Sequence, residues 1–249
     1  MRGCSGLTIL PAGMSEAAVG AGHGGGGAAD DGPLFQTGPS VGPGRLLALD
    51  GFDGSGKTTL VRRLVETLRN DGRRTARFRT PTPQFKRTRM FVLLAKQGRL
   101  DVVDPLALQV AHAADRLQLV RRRIVPALES DCDVVVDRYL AGAYGSLRRW
   151  DLLPAAWFGE LVKEMPTPAL SVYLHVRFDR WSERMAARPA RERTECTAAE
   201  YERRIAEGLE TACRNKMLIL DTSDLSPAAC IDAITASLPP VGRNNLTEG

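Results

Sequence analysis

The chain has 249 residues, a hydrophobic share of 43% and a formal net charge of +5 at pH 7. This composition is typical of a globular protein with a buried core, and a mild charge without a long basic tract argues against a nucleic-acid partner. No stretch approaches the ~18 consecutive apolar residues of a membrane helix, which argues against a membrane-spanning protein.

The cysteines form no CxxC pair and lie at positions Cys4, Cys132, Cys196, Cys213 and Cys230. This spacing predicts free thiols in a reducing compartment, and it is typical of neither a metal site nor a disulfide framework. The first residues, MRGCSGLTILPAG, contain too short an apolar stretch for a secretory signal. We therefore expect a cytoplasmic protein with no membrane partner.

Residues 1–44 are predicted to form a disordered tail, and residues 241–249 a second, flexible one. Gly20–Ala29 is nearly all glycine and alanine, and Gly32–Gly44 is rich in glycine and proline. Such segments bury too little apolar surface to offset the entropy that is lost on ordering. Translation from Met14 is an alternative start. The folded domain is expected to span residues 45–240.

The stretch LLALDGFDGSGKTTL, residues 46–60, reads as a strand, a glycine turn and a helix start. Leu46–Leu49 is typical of a buried parallel strand. Gly51–Thr58 fits GxxxxGK[ST], the pattern of a loop whose backbone amides surround phosphate groups. Lys57 is expected to reach the β- and γ-phosphates of a nucleotide, and Thr58 to hold Mg²⁺. The predicted ATP-binding residues are Gly51, Asp53, Gly54, Ser55, Gly56, Lys57, Thr58 and Thr59.

Strands and helices then alternate. A second strand is predicted at Thr75–Arg79, and Thr80–Pro83 breaks the chain at its carboxyl end, where sites of α/β proteins are built. A helix is predicted over Phe85–Gln97. A longer one, over Asp104–Leu128, begins with an aspartate cap and is kinked or ended by Pro126.

The second half of the domain continues the alternation. Strands are predicted at Cys132–Asp137, Ala169–Val176 and Met217–Leu220, and helices at Pro154–Glu164, Arg177–Ala187, Thr197–Cys213 and Ser226–Leu238. Thr197 followed by Glu200 predicts a capping box. Alternating strands and helices indicate one α/β domain with a doubly wound parallel sheet.

Two charged positions on these elements invite a functional interpretation. Asp137 ends an apolar strand at the sheet edge that carries the phosphate loop. There it is expected to hold the water shell of Mg²⁺ or to lie beside the acceptor phosphate, and the alternative is a simple helix cap. Asp115 and Arg116 lie together within a predicted helix, and the pair alone favours an ordinary solvent-exposed charge pair.

An arginine cluster surrounds Pro189 and consists of Arg184, Arg188, Arg191 and Arg193. Guanidinium groups on a helix end and a short turn are able to close over a triphosphate and neutralise charge on the transferring group. Because the phosphate loop itself contains no arginine, we interpret the cluster as a mobile lid.

These motifs occur in an order that resembles the thymidylate kinase family of nucleoside monophosphate kinases, from about Arg45 to Leu238. The resemblance rests on DGFDGSGKTT (50–59), AADR (113–116), VVVDRY (134–139) and RPARERTE (188–195). It implies a P-loop NTPase fold with a five-stranded parallel sheet, helices on both faces and a short arginine-rich lid. It also implies transfer of the γ-phosphoryl group of ATP to dTMP with Mg²⁺, in a homodimer.

The resemblance assigns roles to matching residues. The catalytic set is Lys57, Asp137, Arg138, Arg188, Arg191 and Arg193, and the metal site is Thr58 and Asp137. The set that binds the acceptor nucleoside monophosphate is Asp53, Arg79, His112, Arg116, Arg138 and Tyr144. Asp53 would lie near the sugar 3′-hydroxyl, Arg79 would meet the phosphate, and Arg116 would bind the thymine edge.

The chain departs from the family pattern at three places on the acceptor side. Arg79 is followed by TPTP where the family usually has EPGGT. His112 stands where a large aromatic residue usually stacks on thymine, and an imidazole offers less area. Ala143-Tyr144 lies about two residues earlier than the family's Ala-Tyr-Gln. The motif on the ATP side is intact.

Two alternatives therefore stay open. One is a kinase that acts on a modified pyrimidine nucleotide, a nucleoside or another small acceptor. The other is a P-loop nucleotide-binding regulator without a small-molecule acceptor, although no guanine motif such as NKxD occurs.

Overall fold

A parallel β-sheet forms the centre of the molecule. The computed structural model describes Thr8–Ile9 and residues 32–240, apart from the side chains of residues 8, 9 and 191. The strands are β1 (Thr8–Ile9), β2 (Leu46–Gly51), β3 (Thr75–Arg79), β4 (Asp133–Asp137), β5 (Leu170–His175) and β6 (Leu218–Asp221). Their order is β1-β6-β5-β2-β4-β3, and all neighbours are parallel. The predicted five-stranded sheet, β2 to β6, is confirmed, and the two-residue β1 extends one edge.

Helices cover both faces of this sheet. They are α1 (Lys57–Asn70), α2 (Arg89–Phe91), α3 (Pro105–Leu119), α4 (Val125–Glu129), α5 (Ala141–Arg149), α6 (Ala156–Lys163), α7 (Phe178–Ala186), α8 (Ala198–Arg214) and α9 (Pro227–Ala236). In the described part of the chain, no helix combines the length and the apolar character needed to cross a membrane.

The central strand β2 is buried on both faces, which explains its continuous apolar sequence. Leu47 and Leu49 pack with α1 and α9 on one face. Leu46 and Ala48 belong to a second cluster on the other face, with residues from α5 and α6. The sheet therefore holds the carboxyl end of β2, where the phosphate loop starts, between two packed layers.

Three helical regions differ from the predictions. The predicted long helical stretch is present and continues past Pro126 to Glu129, but its irregular part is a π-helical turn at Val120–Ile124. Pro126 itself lies in the first turn of α4, which accepts a residue without an N–H. The segment predicted as one helix over Phe85–Gln97 is interrupted at Thr88, which caps α2. Helix α5 was not predicted, since its glycines lower helix propensity; buried Ala143 and Leu147 anchor it instead.

The predicted disorder of residues 1–44 differs from the structure in part. Residues 1–7, 10–31 and 241–249 lie outside the described residues, so the tail predictions stay predictions there. Residues 32–44, in contrast, lie against the domain: Gly38 N donates to Met165 O at 2.9 Å, and Gly44 N donates to Leu128 O at 3.0 Å. Apolar contacts of Phe35 and Val41 join the same surface.

Candidate active site

The phosphate loop connects β2 to α1 and depends on glycine. Gly54 and Gly56 both have φ of 89°, in the left-handed region that other residues rarely adopt. A side chain at Gly54 would also lie under 3.0 Å from Met185 and Trp181. The loop ends at the first turn of α1, whose amides have no partners within the helix and favour an anion. Thr58 lies exposed in this turn.

Lys57 lies inside the loop. Its Nζ donates to Phe52 O at 2.5 Å and to Ser55 Oγ at 3.3 Å. Burial lowers the pKa of Lys57 to about 7, and the positive charge of Arg138 adds to this effect. A phosphate group beside this amine would restore its charge and raise its pKa.

Helix α7 supports the loop from outside. Trp181 Nε1 donates to Asp53 O at 2.7 Å, and Arg184 Nη1 donates to Gly54 O at 3.3 Å. Arg184 also donates to Thr222 Oγ1 at 3.1 Å, after β6. The sequence analysis assigned Arg184 to the lid cluster, but in the structure its side chain stabilises the phosphate loop.

Neighbouring strand ends bring charged residues together beside the loop. In the sheet register, Asp137 pairs with Arg79 of β3 on one side and with Leu49 of β2 on the other. Arg79 Nε lies 3.6 Å from Asp137 Oδ2. Asp137 Oδ1 is buried and has no hydrogen-bond partner among the described residues. An orphaned carboxylate oxygen at this edge fits the chemistry of Mg²⁺ or of its water shell.

Asp53 and Arg138 join the loop to this edge through an ion pair. Arg138 has φ of 71°, and its amide donates to Leu49 O at 2.9 Å, which turns the chain sharply after β4. Burial acts to raise the pKa of Asp53, but Arg138, Lys57 and Arg188 outweigh it and hold that pKa below its usual value. Asp53 is therefore an ionised hydrogen-bond acceptor.

Asp50, the last-but-one residue of β2, was missed by the sequence predictions. Its carboxylate is 1% exposed and accepts from the amides of Tyr139 and Gly142, both at 3.1 Å. Burial raises the pKa of Asp50, and these two amides oppose the shift. The sequence did contain a signal for Asp50, since the strand LLALD ends in a carboxylate residue just as the strand DVVVD, ending at Asp137, does.

The interpretation of Asp115 and Arg116 as a solvent-exposed pair is wrong. Asp115 accepts from Thr82 N at 2.9 Å and from Thr82 Oγ1 at 2.6 Å, so it holds the loop after β3. Arg116 is 3% exposed, and its Nε has no hydrogen-bond partner among the described residues. Burial lowers the pKa of Arg116, and the charge of Asp50 opposes that shift. The tertiary contact across 33 residues overrides the pattern of a surface pair.

His112 lies one turn before Arg116 on α3. Its ring stacks on Phe85 with centroids 5.4 Å apart and an interplanar angle of 17°. Burial lowers the pKa of His112 to about 3, and Arg116 and Lys86 add to this effect, so the imidazole is neutral at pH 7. Phe85 and Lys86 were not predicted as site residues, because the short segment that contains them matches no recognisable sequence motif.

A cleft of about 410 Å³ connects these groups. Of the predicted residues, Gly51, Asp53, Arg79, His112, Arg116 and Arg138 line it. Helix α5 supplies one wall through Gly142, Gly145, Ser146 and Arg149, at helical spacing. Tyr144, predicted to bind the acceptor, does not line this cleft, because its ring packs against Phe158 on another face of α5.

The lid residues divide into separate groups. Arg188 is close enough to Asp53 to lower its pKa. Arg193 differs from its predicted role, since its guanidinium donates to Arg188 O and Ala186 O, both at 2.9 Å, and so closes the carboxyl end of α7. The side chain of Arg191 lies outside the description, and its role stays a prediction.

Helix α8 adds basic residues to the cleft that the sequence did not reveal. Arg203 and Arg204 line it together with Arg149. Arg203 forms an ion pair with Glu207 at 2.7 Å. The guanidinium of Arg204 lies 5.6 Å from the ring centre of Phe52 in the phosphate loop. The cleft is therefore a cationic passage next to a phosphate-binding loop, suited to a ligand that carries its own anionic group.

A sequence profile of the family described as Thymidylate kinase matches residues 49–229. A thymidylate kinase from Chlorobaculum tepidum is 30% identical over 210 residues, covering 78% of this chain and 96% of that protein. A thymidylate kinase from Deinococcus radiodurans is 32% identical over 190 residues, covering 72% of this chain and 89% of that protein.

Solved structures of thymidylate kinases have a similar fold. The enzyme from Candida albicans gives a TM-score of 0.55 at 16% identity, covering 78% of this chain and 90% of its own. The enzyme from Ehrlichia chaffeensis gives a TM-score of 0.53 at 16% identity, covering 80% of this chain and 99% of its own. At this identity the similarity shows the fold alone.

Proposed function

The chain belongs to the thymidylate kinase family, and from this premise we propose that it transfers the γ-phosphoryl group of ATP to the phosphate of dTMP. One observation carries the proposal. A buried arginine with an unpartnered Nε, Arg116, lies in the same cleft as the phosphate loop. A buried cation that is only partly compensated is costly in a free protein, and a bound polar edge would complete the compensation.

On the donor side, the loop amides and Lys57 bind the phosphates of ATP. Lys57 is already inside the loop, so its ammonium needs little reorganisation to meet the β- and γ-phosphates. Burial in a site that excludes water strengthens each of these charge interactions. Arg188, beside Asp53, supplies further positive charge on the transferring group.

Mg²⁺ fits the residues beside the loop, which hold a hydroxyl and an orphaned carboxylate oxygen. Thr58 would bind it directly, and Asp137 would hold it or its water shell. When bound, the ion neutralises charge on the phosphates during transfer. The protein contributes the alignment of donor and acceptor.

On the acceptor side, Arg79, Arg138 and Lys86 form the phosphate subsite. Burial lowers the pKa of Lys86, and the neighbouring charges of Arg79 and Arg138 lower it further, so an anion is favoured there. Arg116 then donates to the base edge and the neutral ring of His112 offers a flat surface for stacking. The ionised Asp53 accepts from the sugar hydroxyl.

dUMP, or a dUMP with a 5-substituent other than methyl, is a second candidate acceptor, favoured by the wall of α5. A side chain added at Gly145 would meet nothing within 4 Å, so this wall leaves open space. Together with the small ring of His112, the space predicts weak discrimination between dTMP and altered pyrimidines.

The test is a coupled assay with ATP, Mg²⁺ and a panel of pyrimidine and purine monophosphates. We expect pyrimidine monophosphates to be the best acceptors. Lys57→Ala is expected to lower the rate by about 10²-fold or more in a folded protein. AMP or GMP as the best acceptor would contradict the pyrimidine pocket, and near-normal turnover in Lys57→Ala would contradict the loop assignment.

We also propose a homodimer, as the family resemblance implies. Leu106 and Val110, one turn apart on α3, are 42% and 47% exposed, and Leu100 is 58% exposed just before them. An apolar stripe of this kind favours burial against a second copy. Light scattering after size exclusion would test this: Val110→Glu is expected to give monomers, and Leu225→Glu, 39% exposed elsewhere, is the control. A monomeric unmodified protein would contradict the proposal.

A further inference from the structure

Residues 32–44, which we call the N-terminal strap, touch several separate elements. Gly38 and Gly44 donate backbone hydrogen bonds to the segment after α6 and to α4. Thr37 Oγ1 lies 2.5 Å from Thr167 Oγ1, and Arg214 Nη2, at the end of α8, donates to Gly32 O at 2.7 Å. The strap therefore ties together elements that are distant in sequence.

The glycines of the strap are required by close packing. A side chain added at Gly38 would lie under 3.0 Å from Lys163 O, and one at Gly44 would meet Cys132 O as closely. Gly42 has φ of 66° and lies against the backbone of Leu128. The strap thus follows a path that only glycine allows, which is typical of a specific packed segment.

Phe35 is the side chain through which the strap reaches α5. Its ring centre lies 6.0 Å from that of Tyr144 and 6.5 Å from that of Phe158, the latter edge-on. Tyr144 occupies the face of α5 that points away from the cleft. The opposite face of the same helix supplies Gly142 and Ser146 to the cleft wall.

A second route connects the strap to the site. The strap pairs with the segment after α6 at Gly38 and Pro166. Tyr139 Oη donates to Pro166 O at 2.9 Å, and the amide of Tyr139 donates to Asp50. Since Asp50 of β2 also accepts from the amide of Gly142, hydrogen bonds connect the strap, the segment after α6, Tyr139, β2 and the start of α5.

We propose that the N-terminal strap positions α5 and thereby sets the affinity for the acceptor nucleotide, with Phe35 as the positioning residue. The inference rests on the proposed function of the cleft. Loss of the Phe35 ring leaves a cavity between α5 and α6, so α5 moves toward it and away from the acceptor. The ATP phosphates would contact the loop and α1, and among the described residues no hydrogen bond or ring contact joins the strap to either, so binding of ATP is expected to stay unaffected.

The test compares full-length Phe35→Ala, Phe35→Leu and the control Gln36→Ala, an exposed position on the same strap. Misplacement of a substrate wall costs up to about 10²-fold, and for a helix that stays folded we expect about a tenfold higher acceptor KM in Phe35→Ala. The KM for ATP is expected to stay within about twofold, Phe35→Leu to recover most of the loss, and Gln36→Ala to match the unmodified protein. Equal acceptor KM values in all proteins, or equal rises for both substrates, would overturn the proposal.

Hydrogen exchange provides a readout without substrate. In Phe35→Ala the amides of Ala141–Arg149 are expected to exchange faster, while those of Lys57–Asn70 keep their protection. Gly38→Val displaces the strap at a different residue, and it is expected to give the same hydrogen-exchange pattern. Unchanged α5 protection in both variants would refute positioning by the strap. An unmodified protein with no acceptor activity but with strap-dependent α5 protection would instead refute the proposed function.

Discussion

Replacing Arg116 with methionine is expected to weaken binding of the acceptor without destabilising the folded protein. Arg116 is 3% exposed and its Nε has no partner among the described residues. The nearest carboxylates are already engaged, Asp50 with two backbone amides and Asp115 with Thr82. The folded protein therefore carries a buried cation whose desolvation is only partly compensated, and methionine fills similar space without that cost.

The magnitudes follow from these contacts. A hydrogen bond from a charged donor to the acceptor base is worth about 1.5–3 kcal/mol, so its loss lowers kcat/KM for the acceptor by roughly 10- to 150-fold. The free energy of unfolding is expected to stay within about 1 kcal/mol of the original or to rise, because replacing a poorly paired buried charge with an apolar group is often neutral or stabilising.

Two measurements on the same preparation check this prediction. Steady-state kinetics with varied acceptor and varied ATP give the two KM values, and urea unfolding gives the stability. An unchanged acceptor KM in Arg116→Met would refute the proposed contact between Arg116 and the base. The reasoning is also refuted if the variant loses more than about 2 kcal/mol of stability, since that would identify a structural role.

Three further predictions concern Lys57, His112 and Asp115. Because burial lowers the pKa of Lys57 to about 7 in the free protein and a phosphate would raise it, this site is expected to take up more protons on ATP binding at pH 8 than at pH 6. Calorimetry in buffers of different ionisation enthalpy measures this uptake, and Lys57→Met is expected to lack it. Since burial lowers the pKa of His112 to about 3, the free energy of unfolding is expected to fall as the pH falls below 6.5. Between pH 7 and pH 5, urea unfolding is expected to show a loss at most about 2 kcal/mol larger than in His112→Phe. An equal loss in the two proteins would contradict this prediction. Asp115→Ala removes both bonds to Thr82 and is expected to raise acceptor KM about tenfold with an unchanged KM for ATP; equal changes in both would point to general misfolding.

Strand ends were the most predictable part of the site. A buried parallel strand has an apolar run of fixed direction, so its carboxyl end and the polar residue there can be assigned from sequence, as with Asp137 and Arg79. The capping box at Thr197 was predicted for a similar reason, because it depends on residues three apart, and it is present.

Residues whose environment depends on distant packing were not predictable. Tyr144 was misplaced because the rotation of α5 is set by its contacts with the core and not by its own sequence. Arg116 resembled a surface residue because it follows Asp115 directly, but Asp115 bonds to Thr82 in the loop after β3 and Arg116 is buried. Glycine in residues 32–44 suggested disorder, yet composition does not distinguish a free chain from one pressed against a neighbouring backbone.

The excess of arginine and lysine over carboxylates along the cleft has a consequence for how the protein meets its ligands. A concave surface of one sign concentrates anions before any specific contact forms, and this attraction weakens steeply as ionic strength rises. Nucleotides would therefore arrive faster in dilute buffer, and the products, which carry as much negative charge as the substrates, would depart more slowly. Sulfate and inorganic phosphate would compete with nucleotides for the same cleft, so the measured turnover rate would depend on the anion of the buffer.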